Sequence, residues 1–177
     1  MHFLRRTCLL ALCWTILASG AVASPSTSTA KNTADHGKAN KVEPVARDLT
    51  SEERLALEEG LDLAARIAHA PRPLDIADVQ RLYDGYLDEG ITDSDAIIAL
   101  GLAFGDDVKR HGNLVWVRVI DEYGDETCLA APHHIVFSAP ISMIQKRLRR
   151  KEKVDLMQLR EATLETSAKQ IPSSMDR

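Results

Sequence analysis

The sequence lacks the short motifs that mark the common enzyme classes. It contains no glycine-rich phosphate loop, no G-x-S-x-G nucleophile elbow, no H-E-x-x-H zinc motif and no paired C-x-x-C. No residue is therefore predicted to be catalytic or to bind a cofactor or a metal. The sequence favours a non-enzymatic protein, although it does not decide the question.

Cysteine is also scarce, with three in 177 residues. Two of them, Cys8 and Cys13, lie in residues 1–23, which have the features of a secretory signal peptide. Two arginines precede an apolar run of ten residues, and an Ala-Val-Ala site follows it. The apolar run is shorter than the roughly 20 residues that span a bilayer, so we expect a cleaved signal and no transmembrane span afterwards. An uncleaved anchor is the alternative.

Cleavage would leave Cys128 as the one cysteine, so no internal disulfide could form even in an oxidising compartment. Cys128 lies in a predicted strand and is interpreted as a small buried hydrophobe. A reactive thiol or an intermolecular bridge is the alternative. Stability is expected to come from packing.

The processed chain is acidic and carries one domain. Without the two arginines of the signal it has 20 basic and 26 acidic residues, a formal charge of −6. Net acidity and export argue against nucleic-acid binding. Residues 24–48 have almost no large apolar side chains and are predicted to be a disordered linker. Residues 49–168 form a single predicted domain, and residues 169–177 a flexible tail.

Helical periodicity predicts three helices in the first half of this domain. A capping box, Thr50-Ser51-Glu52-Glu53, begins the first, and the second runs from near Asp75 to Gly90. Tyr83 and Tyr86 share its apolar face and are assigned to the core rather than to an aromatic binding stripe.

Thr92 is expected to cap the third helix. Gly101 and Gly105 lie on one face of it, each at a cost of about 1 kcal/mol in helix propensity. Close approach by another element would justify that cost. The helix is therefore predicted to be central and buried.

The second half changes to alternating periodicity. Residues 113–120, 126–130 and 134–138 are β-prone and predict a three-stranded antiparallel meander with one face on the helices. Pro140 and Asp155 then begin two C-terminal helices. The predicted fold class is α+β.

Four carboxylates crowd the first predicted hairpin: Asp121, Glu122, Asp125 and Glu126. Asp at the first position and Gly124 at the fourth favour a type I turn, with Gly124 left-handed in a bulge. The other carboxylates are expected to point to water. Weak calcium or partner contact and catalysis are the alternatives, but the glycine position excludes an EF-hand.

The histidines suggest a different kind of site. His133 and His134 lie roughly 20 Å from the acidic turn, at the other end of the second strand, so the two groups cannot share a metal. His111 precedes the first strand and could approach them, with Asp106 or Asp107 nearby. A metal-dependent hydrolase or other enzyme using His111, His133 or His134 is the alternative function.

The run QKRLRRKEK, residues 145–153, concentrates positive charge in an acidic chain. One interpretation is a contact with lipid headgroups, cell-wall polymers or an acidic partner through residues 146–153. The other is the solvated face of an amphipathic helix.

Three stretches together resemble the bacterial family called domain of unknown function 3806: LGLAFGDDV (100–108), WVRVIDEYGDETCLA (116–130) and APISMIQKRLRRKE (139–152). The resemblance spans roughly residues 50–165. It implies a small α+β domain and brings no activity, cofactor or site residue with it. The leading hypothesis is a periplasmic or secreted non-enzymatic module that binds a protein or an envelope component.

Overall fold

Five helices and a four-stranded antiparallel sheet form the described part of the chain, which comprises residues 45–122, 124–131 and 137–170 of the computed structural model. The predicted α+β class is confirmed. The predicted signal peptide, the linker up to residue 44, both adjacent histidines and the tail from residue 171 lie outside the described residues. The strands are β1 (Val45–Asp48), β2 (Val115–Asp121), β3 (Gly124–Ala130) and β4 (Phe137–Ser138). The helices are α1 (Ser51–Ala68), α2 (Ile76–Glu89), α3 (Ser94–His111), α4 (Pro140–Arg149) and α5 (Leu156–Gln170).

The helix boundaries follow local capping chemistry. The capping box of α1 is complete: the Glu53 amide donates to Thr50 Oγ1 at 3.2 Å, and the Thr50 amide donates to Glu53 Oε2 at 2.8 Å. Gly90 ends α2 with a φ of 65°, a conformation that favours glycine. The predicted Thr92 cap of α3 is wrong. Asp93 is the cap, because its carboxylate accepts from the Ala96 amide at 2.8 Å.

The sheet has one strand more than the sequence predicts. The predicted meander is present as β2, β3 and β4, and β1 pairs antiparallel with the other edge of β2. The sequence pattern predicts a disordered linker over residues 45–48, but the structure has a strand there. All four residues are exposed, so the sequence has no alternation of apolar and polar residues that would indicate a strand. They pair with β2 through the backbone.

Helix α3 is central, as predicted, and contacts each of the other four helices. Both of its glycines lie at close approaches. A Cβ at Gly101 would lie 2.6 Å from Ile141 Cα, and one at Gly105 would lie 2.4 Å from the ring of Trp116 and 2.8 Å from Pro140. Glycine therefore lets α4 and β2 approach the α3 backbone, which offsets its low helix propensity.

The core lies between the helices and one face of the sheet. Trp116 and Leu129 are paired across β2 and β3 and pack against helical side chains, whereas Val117 and Cys128 pack on the opposite face. The largest fully buried apolar side chains come from α2, α3, β3, α4 and α5: Val79, Tyr83, Leu100, Phe104, Val108, Leu129, Ile144 and Leu156. Among the described residues, no helix is both long and apolar enough to cross a membrane.

Candidate functional site

The acidic hairpin is a tight chain reversal, as predicted. Asp121 and Gly124 are directly paired, and the Gly124 amide donates to Asp121 Oδ1 at 3.1 Å. Gly124 has a φ of 139°, which side chains rarely adopt. The predicted left-handed bulge is wrong, because β2 and β3 pair one-to-one along their whole length.

The expectation that the other carboxylates point to water is wrong for Glu126. Glu126 Oε1 accepts from the Ser142 amide at 3.2 Å, so this side chain caps the first turn of α4, where Ala139 provides no side-chain cap. Asp125 forms an ion pair with Arg118 of β2. Glu122 is exposed as expected, and so is Asp125 despite its ion pair.

Asp121, Asp125 and Glu126 line a concave surface of about 430 Å³ between the hairpin and α4, with Cys128 in its wall. Burial, followed by the nearby charges of Glu126 and Asp121, raises the pKa of Cys128 to about 12. The thiol is therefore protonated and weakly nucleophilic at neutral pH, consistent with the structural interpretation of this residue. No group of three or more metal-ligating side chains that could hold an ion is found in the described residues.

The most deeply buried charged group is Asp107, whose side chain is 1% exposed. Arg110 Nη2 donates to one of its oxygens at 3.2 Å, and Arg160 Nη1, from α5, donates to the other at 3.2 Å. Asp106 pairs with Arg110 Nε at 3.3 Å on the solvent side. The carboxylate thus joins α3 to α5 through charge-assisted hydrogen bonds.

His111, the predicted candidate, belongs to this same cluster. Its Nδ1 lies 2.8 Å from the Asp107 carbonyl, which can only accept, so Nδ1 carries the proton. Nε2 then faces Arg160 Nη1 at 3.5 Å. The positive charge of this guanidinium disfavours a metal cation at Nε2. His133 and His134 lie outside the described residues, so their approach to His111 stays a prediction.

The basic segment, residues 146–153, covers the end of α4 and the loop to α5. It contains six cations and one acid, Glu152, which pairs with Arg150 at 3.4 Å. Arg147 donates to the Met143 carbonyl at 3.0 Å. In the described part of the chain, five of the six cations have no carboxylate partner: Lys146, Arg147, Arg149, Lys151 and Lys153.

Helix α2 holds this segment in place. Tyr83, which is fully buried, donates its hydroxyl to the Glu152 carbonyl at 2.6 Å. The Gln80 amide group bridges the loop to α5, donating to the Val154 carbonyl at 3.0 Å and accepting from the Leu156 amide at 2.7 Å. The assignment of Tyr83 and Tyr86 to the core is confirmed, since both are buried.

Two grooves flank the basic segment. The larger, about 740 Å³, lies between α2 and the start of α5 and contains Asp84, Asp88 and Asp155 beside Lys153. The smaller, about 370 Å³, lies between the α2–α3 turn and the end of α4. This smaller one is called the α4 groove below. Its described lining carries Arg149 and Lys151 and no acid.

Part of the chain is similar to a known protein family. Residues 75–159 match the model of a family described as "Domain of unknown function (DUF3806)". This part of the chain is therefore similar to DUF3806 domains. The match confirms the resemblance over a shorter range than the sequence motifs indicate, from the cap of α2 into α5. None of the curated proteins matches the chain.

The chain also resembles a protein of Bacteroides thetaiotaomicron whose crystal structure was solved at 1.50 Å resolution. The TM-score is 0.59 at 10% identity, over 73% of this chain and 50% of that one. The chain therefore spans half the length of that protein. At this identity the likeness shows the fold alone.

Sequence reasoning missed the partners that surround Asp107 and the clamp formed by Gln80. Arg160 lies 53 residues from Asp107, and Gln80 lies 76 residues from Leu156. The position of Asp107 on the buried face of α3 is the signal that could have indicated an ion pair, because a buried carboxylate needs a charged or hydrogen-bonding partner.

Proposed function

We propose that the chain is exported and acts as a non-enzymatic interaction module that contacts an anionic surface of the cell envelope through the basic segment. The observation that carries this proposal is that five cations on one short segment have no carboxylate partner among the described residues. Clustered basic side chains attract anionic lipid headgroups, each contributing about 1 kcal/mol near the surface.

The anchoring of the segment supports a role in binding. Tyr83 and Gln80 fix the backbone on both sides of Lys153, so these cations keep their positions relative to α2 without a partner. Binding then requires little ordering of the chain, which favours affinity. A solvated helix face would need no such fixation.

The polar groups elsewhere support a non-enzymatic protein. Asp107 is held by two guanidinium groups, and Glu126 is used as a helix cap. General acid–base work needs a group that is free to exchange a proton with a substrate. These carboxylates are already committed to protein partners.

Export is supported by the arrangement of residues 1–23, with its paired arginines, short apolar run and Ala-Val-Ala site. When the full chain is expressed in a bacterium, intact-mass measurement of the protein in the periplasmic or secreted fraction should give a chain that begins at Ser24. Recovery of the uncleaved chain from the cytoplasm alone would contradict export.

The surface contact is tested by co-sedimentation with vesicles of phosphatidylcholine, with and without phosphatidylglycerol. Binding should require the anionic lipid and weaken as salt is raised, because surface charges are screened. Lys146→Glu combined with Arg150→Glu should abolish it. Equal binding to neutral vesicles, or no effect of the double reversal, would contradict the proposal.

A matched control reverses two exposed charges elsewhere. Arg66 lies in the last turn of α1, and Lys169 lies near the end of α5, about 20 Å along the helix from Asp155 at 1.5 Å per residue. Arg66→Glu combined with Lys169→Glu makes the same change in net charge. This variant should bind anionic vesicles nearly as well as the wild type if position, rather than net charge alone, determines contact.

A further inference from the structure

We propose that the α4 groove binds one molecule of a single-chain anionic amphiphile, with its alkyl chain on the apolar floor and its acid group between Arg149 and Lys151. This inference rests on the proposed function and adds to it a discrete site with its own ligand chemistry. The alternative for this segment is a contact made by surface charge alone.

The floor of the groove suits an alkyl chain. Tyr86, Ile91, Ile97 and Leu148 contribute apolar surface from α2, the α2–α3 turn, α3 and α4. Three secondary-structure elements and the turn between two of them therefore shape it. A volume of about 370 Å³ lies at the small end of the range of ligand pockets, which fits one short chain rather than a folded partner.

The positive charge at the rim determines which sign of charge the ligand should carry. Arg149 and Lys151 line the groove, and within residues 45–122, 124–131 and 137–170 neither has a carboxylate within ion-pair distance. The neighbouring groove between α2 and α5, by contrast, contains three aspartates. The α4 groove is thus complementary to a negatively charged head group.

The rim is also fixed in shape. Lys151 has a φ of 53°, in the left-handed region, and its amide donates to the Leu148 carbonyl at 3.0 Å. The next amide, of Glu152, donates to the Arg147 carbonyl at 3.0 Å, and the Glu152 carbonyl accepts from Tyr83. The backbone therefore places the ammonium stem at the mouth of the groove before any ligand arrives.

The ligand is tested as a monomer in solution, so that a bilayer surface plays no part. Isothermal titration of the purified protein with decanoate, below its micelle concentration, should give one site per chain. Decanol and decyltrimethylammonium, with the same chain and no negative charge, should bind at least about tenfold more weakly. Equal binding of all three would overturn the charged site.

Two double variants distinguish an effect of the rim charges from an effect of the net charge of the protein. Arg149→Gln combined with Lys151→Gln should weaken decanoate binding about tenfold or more, and glutamine leaves the strained φ at position 151 unchanged. Lys146→Gln combined with Arg150→Gln removes the same charge from residues that do not line the groove, so its affinity should stay within about twofold of wild type. Equal losses in both variants would overturn the proposal.

A third variant separates this site from the surface contact. Thr92 is exposed and lines the groove, so Thr92→Trp should block it without a change in charge. Decanoate binding should be lost while binding to anionic vesicles persists. If wild type binds the vesicles but no decanoate, the groove proposal fails and the surface proposal stands. If neither is bound, both fail.

Discussion

Asp107 and Arg160 join α3 to α5 across a buried ion pair, with Arg160 Nη1 3.2 Å from Asp107 Oδ2. The carboxylate is 1% exposed and the arginine side chain 14%. A carboxylate this deep would be strongly destabilising without partners, and it has two guanidinium groups. The pair joins α5 to α3, in addition to the contact of Gln80 with the start of α5.

Replacement of Asp107 tests how far the protein depends on this pair. Asp107→Asn leaves two guanidinium groups facing a neutral amide, so the free energy of unfolding should fall by about 3 kcal/mol. Urea denaturation followed by circular dichroism measures it. Asp106→Asn, which removes the partly exposed neighbour of Arg110, should cost about 1 kcal/mol or less. Similar losses in the two variants would show that burial is not the deciding factor.

The glycines of α3 offer a second test. Gly105→Ala puts a Cβ within 2.9 Å of two atoms of the Trp116 ring and of Pro140, so it should destabilise the protein by about 1–3 kcal/mol. Gly85→Ala is the matched change in α2, where nothing lies within 4 Å of the new Cβ. Alanine favours helix over glycine, so Gly85→Ala should stabilise by about 0.5–1 kcal/mol. Thermal unfolding measures both variants. A change of Tm in the same direction for both would contradict this explanation.

The acidic hairpin gives a prediction about capping. Glu126→Ala leaves the Ser142 amide without its side-chain acceptor and should cost about 1 kcal/mol in unfolding free energy. Glu122→Ala, at the exposed tip, should stay within about 0.5 kcal/mol of wild type. Chemical denaturation measures both. If Glu122→Ala cost as much as Glu126→Ala, the general charge of the hairpin would explain the effect better than the cap.

Local signals in the sequence predicted much of this fold. The capping box at Thr50, the Gly90 stop and the Asp155 cap each involve residues within a few positions of one another, so their spacing is visible in the chain. The glycines of α3 predicted a close approach but not its partners. Those partners, α4 and Trp116, follow from the tertiary packing.

Long-range contacts explain what the sequence could not predict. Glu126 lies 16 residues from the amide that it caps, and Arg160 lies 53 residues from Asp107. The first contact forms only when β3 lies against α4, and the second only when α5 lies against α3. The crowded acids looked like a solvated turn because their partners, Arg118 and Ser142, lie outside the turn. The basic segment was recognisable as a charge run, but the grooves beside it were not.

Glu53 predicts a pH dependence of stability. Its hydrogen bonds from Arg47 first, and then from the Thr50 amide, lower the pKa of its carboxyl from 4.5 to about 2. Between these values the unfolded chain binds the proton and the folded chain does not, so stability falls as the pH falls through this window. Glu53→Gln should remove this contribution to the dependence of the unfolding free energy on pH. It should also lower stability at neutral pH.

The neighbouring Glu52 provides the comparison for this experiment. It lies in the same first turn of α1 and is exposed, and Glu52→Gln leaves the contacts of Arg47 and Thr50 unchanged. Urea denaturation between pH 2 and pH 7 should therefore give the wild-type slope for Glu52→Gln and a shallower one for Glu53→Gln. Parallel curves for all three proteins would contradict the role assigned to Glu53.

Cys128 tests the interpretation of the hairpin cavity through its reactivity. A thiol whose pKa is raised to about 12, from 9.0, holds about a thousandfold less thiolate at pH 8. Native protein should therefore react with a thiol reagent about a thousandfold more slowly than protein unfolded in guanidinium, and more slowly still where burial restricts access. Because the thiolate is the nucleophile, fast labelling of the native state would mean that the cavity admits solvent to the sulfur, and the thiol would then be a candidate reactive group.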